Sequence, residues 1–487
     1  MRKGSVTIFA LLSMMLVVSA LLALLEAGRF HEMNRLVKLQ TQVALESVFA
    51  EYNTYLWEEY RVLACKLDKV PSGLDIFGNK TISGEAFGIN FYQFNVESVN
   101  LKGYTRLTDG NGTAFLQAVA DYMEQNLLYE SAKEIYDQYE GIKDIQENST
   151  FDMKTIEEAL EALENEESTK EEVSSEEVMD TSVYIGKQKD TVKKAKENLL
   201  ENIQSIQRKG ILSLVLEDTD QLSNESIDIH NCVSKRQLPE AYNANLEERD
   251  WYDRVLVQQY LLTYMSHFLE NQEHSLQYEV EYILGGEDTE IENVKVVVNK
   301  LLLIREAMNF LYLSSSPAKI EQARMLAVAI AGTSLNPVLI EVVKTALMAA
   351  WAYAESILEI RTLLTGGKIA LVKSDATWNL ELTYIAEIGK GYEKAKDCKN
   401  GLDYEAFLGI LLFMESETVL AKRAMDVQEF TLQKKYNNPS LHLEDWIIDV
   451  KTGVTYGYQP AFFSVHTIMP SWNYQIITEE QFGYGKR

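Results

Sequence analysis

Hydrophobic and polar positions follow different patterns along the first part of the chain. Residues 5–25 carry no charge and are apolar on all sides of a helix. At about 1.5 Å of rise per residue, this run matches the roughly 30 Å hydrocarbon core of a bilayer. From Phe30 to Leu63 apolar residues recur at helical spacing instead, with no Gly or Pro among residues 29–70. The pattern predicts one helix, continuing to about Leu67, that serves first as a membrane span and then as an amphipathic spine.

Alternating aromatic and branched residues predict strands in two further parts of the chain. Residues 89–96 and 98–101 suit two short strands after a glycine-punctuated stretch. In the tail, residues 446–450 and 454–458 flank Lys451-Thr452-Gly453 and suit a hairpin. Residues 462–465 and 474–477 are further strand candidates. One hypothesis pairs the tail with the strands near Phe91, so that both ends of the chain close one α+β body.

The middle of the chain has a helical pattern. Two predicted helical arms, residues 115–146 and 184–207, flank an acidic stretch at 157–180 with a single Lys. A block of like charge without aromatic residues is typical of a disordered tip or insertion. Calcium binding is the alternative, although the stretch lacks the fixed spacing and Gly of an EF-hand loop.

A compact helical core is predicted after the acidic stretch. Residues 250–269 are amphipathic, 290–313 form a buried helix, and the alternating residues 278–284 predict a strand. Ser316-Pro317 and Asn336-Pro337 each predict a helix start, and Gly366-Gly367 predicts a helix end.

The predicted fold class is therefore α+β and mostly helical, with a long N-terminal transmembrane and spine helix, a helical hairpin with an acidic insert, and a helical core with a small antiparallel sheet. The predicted segments are a cytoplasmic tip and transmembrane helix at 1–29, the spine helix at 30–70, a β-rich segment at 71–113, the hairpin at 114–210 with a disordered tip at about 150–182, the helical core at 211–435, and a β-rich C-terminal segment at 436–487. The hypothesis above pairs this last segment with 71–113.

Charge and cysteine content narrow the classes of protein. The net charge of -27 argues against nucleic acid as a partner, because phosphate binding needs a basic surface. Cys65, Cys232 and Cys398 lie far apart without a C-x-x-C pair, which excludes a zinc ribbon or a thioredoxin-type motif. Buried thiols are expected, and the spacing predicts no disulfide.

A retained anchor is favoured over a cleaved signal peptide. The apolar run is longer than the usual 7–15 residues of a signal peptide and ends without a small-x-small pattern. Arg2 and Lys3 on the short N-terminal side favour a cytoplasmic N-terminus, with the bulk of the chain outside the cytoplasm. The expected location is the cell membrane, as a single-pass protein.

Two resemblances to known families follow from particular residues. Residues 4–10, Gly-Ser-Val-Thr-Ile-Phe-Ala, and residues 39–47, Leu-Gln-Thr-Gln-Val-Ala-Leu-Glu-Ser, resemble the start of TadE/TadG-type pseudopilins, minor components of tight-adherence (Flp-type) pilus machines. The resemblance implies a candidate leader-processing junction between Gly4 and Ser5. The chain departs from the prepilin pattern at Phe9, where substrates of the peptidase usually carry Glu.

The rest of the chain resembles an uncharacterised family of Gram-positive membrane-anchored proteins found near Tad-like pilus genes. The stretches that carry this resemblance are residues 276–286, 303–306 and 350–356.

Common catalytic patterns are missing from the sequence. It contains no G-x-x-x-x-G-K-[ST], no H-E-x-x-H and no G-x-S-x-G, and Thr365-Gly366-Gly367-Lys368 suits a helix end. If His267 and His274 share a helix, they stand about 10 Å apart along its axis, which is too far for both to bind one metal ion. No catalytic residue, cofactor or metal ligand is predicted.

Some charged residues stand in unusual contexts. Glu279 and Glu281 lie on one face of the predicted strand, and a solvated face is favoured over a paired-carboxylate site. Arg305 and Glu355 are charges within apolar helices and form a candidate core ion pair.

The favoured functional hypothesis is a non-enzymatic, membrane-anchored, extracytoplasmic structural or assembly component of a Tad-like (Flp-type) pilus or secretion apparatus. Its expected partners are the membrane and other protein subunits of a surface assembly. The alternatives are a surface-tethered binding module or adhesin, and a membrane-anchored cell-envelope hydrolase.

Overall fold

The structure is a computed structural model of the chain. It describes residues 2–79, 85–86, 89–90, 92, 94–127, 129–148, 210–220, 222–241, 246, 250–270, 274–331, 337–388, 391–462 and 474–484. The predicted acidic tip and the arm at 184–207 lie outside these residues. As predicted, the fold is mostly helical, with a long apolar N-terminal helix and a small antiparallel sheet.

The chain forms two compact units. Unit 1 consists of Met1–Asn126, Asn231–Asp253 and Gln428–Arg487, and unit 2 consists of Leu127–His230 and Arg254–Val427.

Unit 1 combines helices with the sheet. Its helices are α1 (Arg2–Phe49), α2 (Thr54–Tyr60), α3 (Lys69–Asn79) and α4 (Thr113–Met123). Its strands are β1 (Cys65–Lys66), β2 (Glu85–Ala86), β3 (Ile89–Asn90), β4 (Phe94–Arg106), β5 (Trp446–Tyr458) and β6 (Gln475–Gly483).

Strand β5 is the centre of the four-stranded antiparallel sheet. It pairs with β4 along one edge and with β6 and β1 along the other. The tail therefore pairs with the strand that follows Phe91, as the sequence hypothesis had it. The hairpin predicted within β5 is wrong: Gly453 pairs with Asn100 on one side and Glu479 on the other, so the chain stays extended there. The predicted pair at 89–96 and 98–101 is likewise replaced, by the short β3 and the long, bulged β4.

The second half of α1 packs against this sheet. The buried cluster contains Met33, Val37, Ala44, Leu45, Val48 and Phe49 from α1, with Val450, Val454, Tyr456 and Ile476 from the strands. Apolar residues at helical spacing form a stripe along α1, and apolar residues at every second position form one face of β5. The stripe packs against this face. The Thr41 and Tyr456 hydroxyls hydrogen bond within this interface (3.0 Å).

The spine helix ends earlier than predicted. Helix α1 stops at Phe49 rather than near Leu67, and α2 follows after a short break. Asn53 causes the restart, since its side chain accepts hydrogen bonds from the N–H groups of Tyr55 (3.0 Å) and Leu56 (3.1 Å). The β-rich segment predicted from residue 71 begins instead with a helix, since α3 covers Lys69–Asn79. A Cβ at Gly73 would lie 2.3 Å from Val48 Cγ2, so the glycine permits α3 to approach α1.

Unit 2 is helical. Its helices are α5 (Tyr129–Asn148), α6 (Ile211–Val215), α7 (Trp251–Tyr264), α8 (Glu279–Gly285), α9 (Glu290–Ser315), α10 (Pro317–Ala331), α11 (Pro337–Leu363), α12 (Tyr404–Met414) and α13 (Glu417–Tyr436); α7 begins and α13 ends in unit 1. The predicted arm at 115–146 is divided between α4 and α5.

Three predicted helix boundaries in unit 2 are confirmed, namely the starts of α10 and α11 and the end of α11, whereas α7 ends at Tyr264 rather than at residue 269. Helices α10 and α11 begin at Pro317 and Pro337, and α11 is followed by Gly366 at φ +82°. The strand predicted at 278–284 is wrong, because these residues enter α8. Their alternation reflects two buried glutamates between apolar residues rather than one wet and one dry face.

Candidate anchor and assembly surface

The first half of α1 is exposed and apolar. Val6, Phe9, Met15 and Leu24 are between 67% and 71% exposed. The helix is long and apolar enough to cross a membrane, and its most apolar window is not buried anywhere in the described molecule. It therefore differs from a core helix, which covers such residues with its own fold. Gly4 and Ser5 lie in the first turns of α1, and the side chain of Ser5 is not described.

A set of three hydrogen bonds ties α1 to the sheet where the apolar run ends. The Glu26 carboxylate accepts from the backbone N–H groups of Ala461 (3.2 Å) and Phe462 (2.9 Å). Arg29 donates to the carbonyl of Gln459 (2.7 Å) and to Glu26 (2.6 Å). We call this arrangement the clasp. It fixes the exit of the apolar helix to the turn after β5.

Arg305 and Glu355 lie in one buried network of unit 2, with partners other than each other. Arg305 forms a two-pronged pair with Glu359, both nitrogen–oxygen distances being 2.9 Å. Glu355 pairs with Lys373 (2.6 Å), which also reaches Glu359 (2.7 Å). The candidate Arg305–Glu355 pair is thus corrected to Arg305–Glu359, one helical turn further along α11.

The network stabilises a loop rather than presenting a reactive group. Arg305 donates to the carbonyls of Ala370 and Leu371, and Glu355 accepts from the N–H of Leu380. Burial opposes ionisation of Glu359, but the charges of Arg305 and Lys373 outweigh it and lower its pKa. These charges are mutually satisfied and enclosed.

Glu279 and Glu281 are fully buried, which corrects the expectation of a solvated face. Glu279 accepts from the N–H of Ser266 (2.9 Å) and contacts His274 Nδ1 (2.7 Å). Glu281 accepts from the N–H of Phe268 (3.0 Å) and from the Tyr404 hydroxyl (2.7 Å). Burial raises the pKa of Glu281 to about 7, partly opposed by these donors. Each carboxylate holds the loop between α7 and α8.

His267 and His274 belong to that loop and not to a single helix. Burial lowers the pKa of His267, whose ring lies 6.1 Å from that of Tyr404. The contact with Tyr404 was missed in the sequence, because Tyr404 lies far from His267 along the chain.

One group in unit 1 has the donor set of a metal site. Ligand atoms of Glu429, His442 and Glu444 lie within 4.8 Å of one another. However, the guanidinium of Arg236 already contacts both carboxylates, at 2.6 and 2.8 Å to Glu429 and 2.6 Å to Glu444. The group is built around a guanidinium, which a divalent cation would have to displace.

A cavity of about 740 Å³ opens in unit 1. Trp57 and Tyr122 meet edge to face in its wall (5.7 Å), and Arg61 lies over Trp57 (5.7 Å). Phe482 and Tyr484 also line it. Aromatic rings beside cationic groups suit the binding of a polar ligand.

The cysteines remain free thiols. Cys65 and Cys232 are buried, and Cys398 is partly exposed. Burial raises the pKa of Cys65 to about 12, which makes it unreactive.

No curated protein and no solved structure matches the chain. One family model matches more than half of it, over residues 189–458, and this match leaves α1 and β4 outside. The chain belongs to the family of unknown function DUF5702.

Proposed function

We propose that this protein is a non-enzymatic, membrane-anchored structural component of a Tad-like (Flp-type) pilus or secretion apparatus, with its bulk outside the cytoplasm. One observation carries the proposal: α1 is a continuous helix that is exposed and apolar in its first half and packed on an antiparallel sheet in its second. A helix of this kind holds a folded body at a fixed distance from the membrane and leaves an apolar surface for lipid or for neighbouring helices.

The enclosed charges of unit 2 support a structural role. The network around Arg305 and the glutamates of α8 bind loops of their own chain. Perturbed carboxylates at an active site are expected to face a cleft, whereas these are buried.

The processing of the N-terminus tests the proposal. We would measure the intact mass and N-terminal sequence of the protein from membranes, with and without the cognate prepilin peptidase. Cleavage to Ser5 only when the peptidase is present supports a pseudopilin. Gly4→Leu should then block cleavage, while Gly28→Ala, a matched glycine change in the same helix, should leave it intact.

The other results separate the remaining possibilities. A chain that keeps Met1 in the membrane overturns entry into a filament and leaves a fixed scaffold. A chain that begins near Gly28 and is released overturns the anchor itself.

A surface-tethered binding module is the second candidate function, and the cavity near Trp57 favours it. Binding of envelope glycan by the full chain, lost in Trp57→Ala and kept in Trp251→Ala, would support this candidate. Equal binding by both variants would contradict it.

A further inference from the structure

Two uncharged stretches stand out in this acidic chain. Residues 4–25 and 452–478 contain no Asp, Glu, Lys or Arg, and no other stretch without these residues is as long. The first is the apolar run of α1. The second includes the end of β5, the turn at residues 459–462 and the start of β6. Gln459 and Ala461 are exposed, and exposed positions of a globular protein ordinarily include charged residues.

The two stretches meet at one end of unit 1. Glu26 and Arg29, which directly follow the apolar run, hold the backbone of Gln459, Ala461 and Phe462 in the clasp. The turn after β5 therefore contacts α1 about one helical turn beyond the end of the apolar run, at about 6 Å of rise from residue 25 to residue 29.

Aromatic side chains surround this junction. The rings of Phe30 and Tyr458 lie 5.8 Å apart, and those of Tyr458 and Tyr474 lie 5.5 Å apart. Tyr458 and Tyr474 are partly exposed, while Gln459 and Ala461 are exposed. Tyrosine is enriched where a protein meets the headgroup layer, because its ring is apolar and its hydroxyl is polar.

We propose that Phe30, residues 458–462 and Tyr474, here called the collar, lie in the headgroup layer of the bilayer that α1 crosses. The inference rests on the membrane anchoring in the proposed function. The headgroup and interfacial layer on each side is roughly 5–8 Å thick, which accommodates the rise between the apolar run and the clasp. No residue of the collar is charged, and the adjacent Glu26 and Arg29 form an ion pair with each other (2.6 Å).

The body of unit 1 is therefore seated on the membrane by two contacts, the span and the collar. A single span leaves a body free to tilt and rotate, whereas a second contact beside it sets the orientation of the sheet. The other end of the sheet points away from the bilayer, since Tyr484 beyond β6 reaches the carbonyl of Phe49 at the far end of α1.

Nitroxide depth measurements on the full chain in phospholipid nanodiscs test the collar. A Cys398→Ser background removes the partly exposed thiol, and the buried Cys65 and Cys232 remain. Labels are placed singly at Leu16→Cys in the span, Ala461→Cys in the collar and Lys451→Cys on the same strand as the collar. Lys451 lies about 26 Å along the strand from Gln459, at roughly 3.3 Å per residue. Accessibility to oxygen and to a nickel chelate gives the depth of each label.

The expected result is a label at 16 in the hydrocarbon core, at 461 in the headgroup layer and at 451 in water. A deep label at 16 with labels at 461 and 451 equally wet keeps the anchoring and overturns the collar. A wet label at 16 overturns the anchoring on which the collar rests. Shielding at 461 that appears only as protein density rises, with dipolar broadening, shows a second copy on this surface and also overturns the lipid contact.

Discussion

The Glu26 carboxylate accepts a hydrogen bond from the backbone N–H of Phe462 at 2.9 Å, although 436 residues separate them in the chain. The same carboxylate accepts from Ala461, and Arg29 completes the clasp at Gln459. Hydrogen bonds to a charged group contribute roughly 1.5–3 kcal/mol each when shielded from water. The junction between the apolar helix and the sheet is thus held by side chains that directly follow the apolar run.

Removing the Glu26 carboxylate should loosen the turn after β5. In Glu26→Ala the N–H groups of Ala461 and Phe462 lose their acceptor, and we expect their hydrogen exchange to accelerate by roughly tenfold. Exchange of the full chain in nanodiscs, resolved to these two amides, measures the effect.

Glu32→Ala is the matched control, because Glu32 is an exposed carboxylate on the same helix. Exchange at the two amides should remain unchanged in this variant. Equal exchange in Glu26→Ala and the unmodified chain would show that the clasp does not hold the turn.

The Arg305–Glu359 pair should be costly to break from one side. Arg305→Met leaves Glu359 buried with Lys373 as its remaining cation, and we expect unit 2 to lose about 3–5 kcal/mol of stability. Arg305→Met combined with Glu359→Met should lose less than Arg305→Met alone, since no carboxylate then lacks its guanidinium. Hydrogen exchange of α9 and α11 peptides across a urea series gives the free energy of unfolding.

Arg324→Met is the control for loss of an arginine, since Arg324 is exposed on α10. Its effect should stay within about 0.5 kcal/mol. If Arg305→Met behaves like Arg324→Met, the buried network does not stabilise unit 2.

Local signals in the sequence were sufficient for many helices. Proline after a capping residue marked the starts of α10 and α11, and Gly366-Gly367 marked the end of α11. The apolar run and the helical spacing after Phe30 predicted one long helix that is apolar on all sides in its first half and packs against the fold in its second. These features depend on contacts within a few residues, which a single sequence displays directly.

Contacts between distant segments were harder to predict. The extended form of β5 at Gly453 depends on two neighbouring strands, so an isolated Lys-Thr-Gly pattern favoured a turn. Glu355 and Glu359 stand one turn apart on an apolar helix, and the sequence alone does not show which of them lies opposite Arg305 in the fold. Glu279 and Glu281 were wrongly predicted to be solvent-exposed. Glutamates that alternate with apolar residues show the same sequence pattern whether they face solvent on a strand or accept hydrogen bonds from loop amides in the core.

Gly366 offers a test of backbone conformation alone. A Cβ at this residue would meet no atom within 4 Å, but its φ of +82° disfavours L side chains. Gly366→Ala should therefore destabilise unit 2 by about 1 kcal/mol without any clash. Gly391 has equal space and no positive φ, so Gly391→Ala should change stability by less than about 0.5 kcal/mol. If both variants lose the same free energy of unfolding in the urea series, the positive φ of Gly366 is not the cause of the loss.

Glu306 should make the stability of unit 2 depend on pH. It is 2% exposed, its Oε1 has no hydrogen-bond partner among the described residues, and burial raises its pKa from 4.5 to about 8. Between these values the folded chain binds the proton that the unfolded chain releases. Stability is therefore full below about pH 4.5 and falls as pH rises, by about 3 kcal/mol from pH 5.5 to 8.5.

Glu306→Gln removes this titration while keeping the shape of the side chain. Relative to the unmodified chain, the variant should gain stability as pH rises, because the buried amide never ionises. The free energy of unfolding is measured in urea series equilibrated at pH 5.5 and 8.5, with the hydrogen-exchange pulse given at one pH. Comparing the variant with the unmodified chain separates the contribution of Glu306 from that of other titrating groups such as Glu281. Glu321→Gln, an exposed change on α10, should leave the difference between the two pH values unaltered. If Glu306→Gln behaves like Glu321→Gln, Glu306 reaches water or a partner in the folded chain, and its carboxylate stays ionised at neutral pH.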